Sequence, residues 1–63
     1  MIELIGKEVQ IYPNDTRKKF GKILEITDNG VLFLITRSEV GSNYTVGKKH
    51  FISFSAKLNF EEV

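Results

Sequence analysis

From Val9 to Ile35 the chain alternates apolar and polar residues in short runs broken by turn residues, and nearly half of its apolar residues lie in this stretch. Val9 and Ile11 stand on one face of an extended segment, with Gln10 and Tyr12 on the other. Pro13 lacks an amide hydrogen and ends that strand. Asn14-Asp15-Thr16 is turn chemistry. A second strand is expected over Phe20 to Thr27, with Phe20, Leu24 and Ile26 on one face and Ile23 opposite. Gly21 inside it suggests a bend or bulge. Asp28-Asn29-Gly30 between apolar runs is a hairpin signal, because Asn and Gly accept positive φ.

Val31 to Thr36 is apolar at consecutive positions, which predicts a third strand covered on both faces. A polar loop over Arg37 to Asn43 follows, then a short fourth strand over Tyr44 to Val46, a turn at Gly47 to His50, and a fifth strand over Phe51 to Ser55. Met1 to Lys7 reads as a short strand or turn leading in, since Gly6 breaks any helix. Leu58 and Phe60 are expected to pack back on the core through one helical turn, ahead of a solvated Glu61-Glu62 end. Five short strands with turns between them argue an all-β barrel, a shape that removes the exposed edges of so small a sheet.

Length limits what this pattern can build. Sixty-three residues predict one domain spanning 1–63. A chain of this size buries only about 60% of its unfolded surface, and such domains often gain stability by oligomerising. There is no cysteine and one histidine, which leaves no disulfide framework and argues against a metal site or any other cofactor. Met1-Ile2-Glu3 lacks the basic start of a secretory leader, and the longest apolar run, Val31 to Ile35, is far too short to span a membrane. A cytoplasmic location is the expectation, with no membrane partner. With one histidine and no cysteine, no Ser-His-Asp or Cys-His arrangement can be argued, and the five glycines are isolated rather than grouped in a phosphate-cradling loop. The chain is therefore expected not to be an enzyme.

Net charge is only +1, but the cations are grouped. Arg17, Lys18 and Lys19, with Lys22 nearby, form one cluster, and Lys48, Lys49 and His50 form the other. Each group could neutralise phosphates. Phe20, Tyr44 and Phe51 border the clusters, and an exposed ring there would stack on bases. Lysine-rich turns also serve solubility and edge protection, and phenylalanines at these positions are more often core than platform. The two turns need not be neighbours in a barrel.

Some residues carry a resemblance. Val9-Gln10-Ile11, a polar turn with Asp15, a basic residue, Gly21-Lys22-Ile23 and then Asp28 before an apolar strand is similar to the first motif of Sm-like proteins. Lys49-His50-Phe51-Ile52-Ser53 resembles the Lys-His-x-Ile-Ser run of bacterial Hfq. The resemblance covers roughly positions 9 to 55. It implies a small five-stranded SH3-like or Sm-like barrel, a strongly bent antiparallel sheet, often assembled as a homo-oligomeric ring that binds RNA. By position, the pore-lining, RNA-contacting Lys-His pair would fall on Lys49 and His50. The chain departs from that pattern in several places. It has no room for a good N-terminal helix, Asp28 lies one residue further from Gly21 than expected, and Lys19 occupies a position usually apolar. Gly30 stands where an aromatic stacks on uracil, and Lys48 stands where Hfq has a tyrosine. Val9-Gln10-Ile11-Tyr12 also matches the active-site tetrapeptide of plasmid-encoded type II dihydrofolate reductases, which are SH3-like barrels too. There the tetrapeptide lies late in the barrel, whereas here it lies in the first strand.

Two functional expectations follow. The first is a non-catalytic barrel that binds nucleic acid, RNA before DNA, through Lys48, Lys49 and His50, then Arg17, Lys18 and Lys19, with Tyr44 as the stacking ring. The second is an SH3-like protein-interaction or assembly module, such as a mobile-element accessory protein. In that case a protein partner would meet the apolar third strand and the Leu58-Asn59-Phe60 tail.

Overall fold

The computed structural model describes residues 2–63. Met1 of the expected lead-in lies outside them. A short 3₁₀ turn, Ile2–Leu4, precedes β1 (Glu8–Ile11), β2 (Lys19–Ile26), β3 (Gly30–Ser38) and β4 (Lys49–Ser53). A second 3₁₀ turn, Phe54–Ala56, then leads to β5 (Phe60–Glu62). The five strands form one antiparallel sheet in the order β4-β3-β2-β1-β5. Consecutive hairpins lay down β1 to β4, and the tail returns to pair with β1, placing Ile11 against Phe60 and Val9 against Glu62.

Alternation explains the interior. Val9 and Ile11 of β1, Val31, Phe33 and Ile35 of β3, and Ile52 of β4 all point inward at every second position and are buried, together with Ile23 of β2. Burying a side chain of this kind contributes about 1.5–3 kcal/mol relative to leaving it in water. The other face of β3 is only half covered, at Leu32 and Leu34.

Strand β2 differs from its expected facing. Ile23 is the core residue, while Phe20 and Leu24 lie on the outer face, half-buried. From Lys19 to Ile23 the alternation is regular, with Lys19, Gly21 and Ile23 turned inward, and the β2 bulge follows at Leu24, between Ile23 and Glu25. A bulge adds one residue and reverses which side chains point inward. Ile26 therefore joins Ile23 against the core although three positions separate them. The Arg37 guanidinium covers Phe20, 4.1 Å from the ring centre.

The expected strand over Tyr44 to Val46 is absent. That segment is a loop, and after it Gly47 donates to the Ile35 carbonyl while the Ile35 amide donates to Lys48. The fifth strand comes instead from the tail, where a single apolar residue between polar neighbours gave little alternation to read. Phe51, expected in the core, is 53% exposed on the outer face of β4.

The sheet is curled but not closed. Its hydrogen-bonded order ends at β4 on one side and β5 on the other, so the edges that a barrel would remove are present. Among the described residues, no helix is long and apolar enough to cross a membrane.

Candidate functional site

The connection from β1 to β2 is folded around one ammonium group. Tyr12 leaves β1 with φ 49°, a left-handed conformation that turns the chain sharply before Pro13. Its amide donates to Asn59 O and its carbonyl accepts from Asp15 N, which fixes the turn. Asp15 then caps the loop from within. Its Oδ1 accepts from the Arg17 amide at 3.3 Å and its Oδ2 from Lys19 Nζ at 2.9 Å. Lys19 Nζ also donates to Arg17 O at 2.8 Å.

Lys19 is thus not the surface cation that its sequence position suggested. Its side chain is 8% exposed and points inward from β2. The low-dielectric surroundings of a buried ammonium require hydrogen-bonded partners, and the loop supplies them. This removes Lys19 from the set of side chains that can reach a phosphate on the protein surface.

The long connection from β3 to β4 docks on the first loop. Arg17 Nη1 donates to Gly41 O at 3.1 Å, and the Glu39 amide donates to Lys18 O at 3.0 Å. Ser42 Oγ accepts from the Tyr44 amide and sets the approach of that ring. Tyr44 is half-buried between two charged or titratable neighbours. Its ring centre is 4.9 Å from that of His50, tilted by 50°, and 5.8 Å from Lys19 Nζ. Tyr12 approaches the same ammonium from another side, with its ring centre 5.7 Å away.

Together these groups enclose a half-open cavity of about 270 Å³, with Tyr12 and Tyr44 as walls and Asp15, Arg17 and Lys19 among its polar lining. The Lys19 ammonium, followed by the Arg17 amide, holds the Asp15 carboxyl below its usual range. Burial pushes the Tyr44 hydroxyl up, further from ionisation.

The expected cations are dispersed around this cavity. Arg17 lines it, and His50 reaches it through Tyr44. Lys18 and Lys48 are exposed in the two loops. Lys49 shares with Phe51 the face of β4 opposite His50 and Ile52, so the Lys49-His50 pair is split across the strand. Among the described residues, Arg17, Lys18, Lys48 and Lys49 take part in no ion pair, whereas Lys7, Lys19 and Arg37 are matched to Glu62, Asp15 and Glu8.

Sequence reasoning missed Tyr12 and Asp15 as site residues. The available signal was Lys19 itself, because a lysine at a position that should be apolar implies a carboxylate partner nearby. No group of three His, Asp or Glu residues is gathered for a metal ion among the described residues. Compared with known proteins, the chain matches no family model, no curated protein and no solved structure.

Proposed function

We propose that this chain is a small SH3-like or Sm-like barrel that binds single-stranded nucleic acid, RNA before DNA, without catalysis. The observation that carries this reading is the meeting of the two basic loops around Tyr44. Arg17 ties its loop to Gly41, and the Tyr44 ring touches both the Lys19 and the His50 side. That end of the molecule sets Arg17, which has no ion-pair partner among the described residues, beside the half-buried Tyr12 and Tyr44 rings. Phosphates are bound by cations and bases by rings, and single strands present both. The strand order and the curl of the sheet agree with the barrel reading.

A salt titration with labelled single-stranded RNA tests it. Binding at low salt that weakens with a linear dependence of log K on log salt is the expected result. No binding at low salt, or binding indifferent to salt, rules the reading out.

A specific observation favours a second reading, an assembly or protein-interaction module. Phe51 is half exposed beside Leu32 on the outer face, at the unpaired edge of β4. An open edge with an apolar neighbour is a template for strand addition. Light scattering separates the cases: a stable homo-oligomer whose assembly is lost in Phe51→Ser supports this reading, and a monomer at high concentration counts against self-assembly.

A further inference from the structure

We infer that the cavity between Tyr12 and Tyr44 is a pocket for a single keto base, guanine above the others. This deepens the nucleic-acid reading and rests on it.

The argument starts from what the cavity rejects. Lys19 Nζ already stands near both ring centres, at 5.7 and 5.8 Å, so a cationic guest meets a like charge where it would gain most from the rings. The Lys19–Asp15 pair is best met by a group that carries an acceptor beside a donor, and the Arg17 guanidinium, which also lines the cavity, accommodates a phosphate attached to that group. At about 270 Å³ the space lies just below the usual range for small-molecule sites, which suits one planar ring system.

The hydrogen-bond inventory gives the order of the polar atoms. An ammonium has three donors, and Lys19 spends two, on Asp15 Oδ2 and Arg17 O. Each Asp15 oxygen accepts one bond, from Lys19 Nζ or the Arg17 amide, and an oxygen of an ionised carboxylate has room for a second. The ammonium nitrogen, with one donor left, thus lies 2.9 Å from a carboxylate oxygen that can still accept. A keto base offers the complement: a carbonyl oxygen for the ammonium next to a ring N–H for the carboxylate. Guanine and uracil both have this edge. Guanine adds an exocyclic amine, so its two N–H groups can meet both carboxylate oxygens. Adenine and cytosine reverse the order, placing an amino group against the ammonium and a lone pair against the carboxylate. The Tyr12 and Tyr44 rings give any base an apolar lining, and the Lys19–Asp15 pair selects among them.

Four nucleoside monophosphates, GMP, UMP, AMP and CMP, titrated into the full chain and followed by NMR shifts test this. GMP is expected to bind about tenfold or more tighter than AMP or CMP, a discrimination typical of a paired hydrogen-bond readout. Inosine monophosphate, which lacks only the exocyclic amine, is expected to fall to the level of UMP. Asp15→Asn is expected to erase the preference for GMP. If that variant does not fold, the comparison of GMP with inosine monophosphate decides without it. Equal affinity for all four, tighter binding of AMP or CMP, or no shift with any of them overturns the inference. RNA binding that persists in that event leaves the broader reading standing. GMP selectivity without salt-dependent RNA binding supports the pocket, identifies a free nucleotide as the source of the base, and sinks the RNA reading.

Discussion

Phe33 and Phe60 meet edge to face, with ring centres 5.9 Å apart and planes at 78°. They belong to β3 and β5, which are separated in the sheet by β2 and β1. In a flat sheet three strand spacings would hold them about 14 Å apart. The contact therefore measures the curl of the sheet, and it closes the hydrophobic interior where hydrogen bonds do not.

Phe33→Ala removes a wholly buried ring, a change that costs about 3–5 kcal/mol. A domain of this length has roughly 3–9 kcal/mol of stability in total. The variant is expected to lose about half or more of that stability and to melt far below the parent by circular dichroism. Phe60→Leu, at a partly buried position, is expected to fold with a lower melting temperature. A Phe33→Ala protein that melts like the parent would show that the curl does not depend on this contact.

The Lys19–Asp15 pair is asymmetric, and its two halves should respond differently to mutation. Asp15 is 45% exposed on its side chain, whereas Lys19 is 8% exposed. Lys19→Met leaves a carboxylate that water can solvate. Asp15→Ala strands a buried ammonium beside Arg17 O, the costlier outcome. Thermal melts should place Asp15→Ala below Lys19→Met, and the reverse order would contradict the burial argument.

Acid should destabilise the fold through two carboxylates. Lys19 and the Arg17 amide lower the Asp15 value from 3.8. The Thr36 hydroxyl, then Arg37, lowers that of Glu8 from 4.5. A folded-state value below the unfolded one stabilises fully above the unfolded value and is lost as pH falls through the folded one. Stability should thus begin to drop below pH 4.5. Glu8→Gln should show a shallower acid limb together with lower stability at neutral pH. An unchanged limb would mean that the Thr36–Glu8 contact, 2.6 Å long, contributes nothing to folding.

Gly30 is required by close approach rather than by its φ. A Cβ there would stand 2.3 Å from Ile52 O and 2.8 Å from Ser53 Cα, both backbone atoms of β4. Gly47 has φ 87° and open space around it. Gly30→Ala should disrupt the β3–β4 pairing and lower the melting temperature steeply. Gly47→Ala should cost only about 1–2 kcal/mol, for the left-handed backbone. Amide exchange of β4 residues such as His50 and Ile52 reports the first effect directly.

If Lys48 and Lys49 contact phosphates, each alanine substitution should reduce the slope of log K against log salt by about 0.7, the value per phosphate for single strands. The double variant is expected to keep its melting temperature, since neither side chain has an ion-pair partner among the described residues. An unchanged slope would place the phosphate contacts elsewhere, with Arg17 and Lys18 the next to test.

The alternation at Val9 and Ile11, the stop at Pro13, the turn at Asp28 to Gly30 and the apolar run into Ile35 determined β1 to β3 and most of the interior. These signals act over a few residues, so they are legible in the chain alone. The pairing of β5 with β1, the shared facing of Ile23 and Ile26 and the docking of Arg17 on Gly41 were decided only by contacts between distant segments. The inward turn of Lys19, which the chain showed merely as a lysine out of place, belongs with them. A bulge reverses the facing of every residue after it, and a buried ammonium is stable only once Asp15 and the two tyrosines have closed around it. Such requirements are met by the assembled sheet, which is why the candidate pocket, unlike the strands, could not be read in advance.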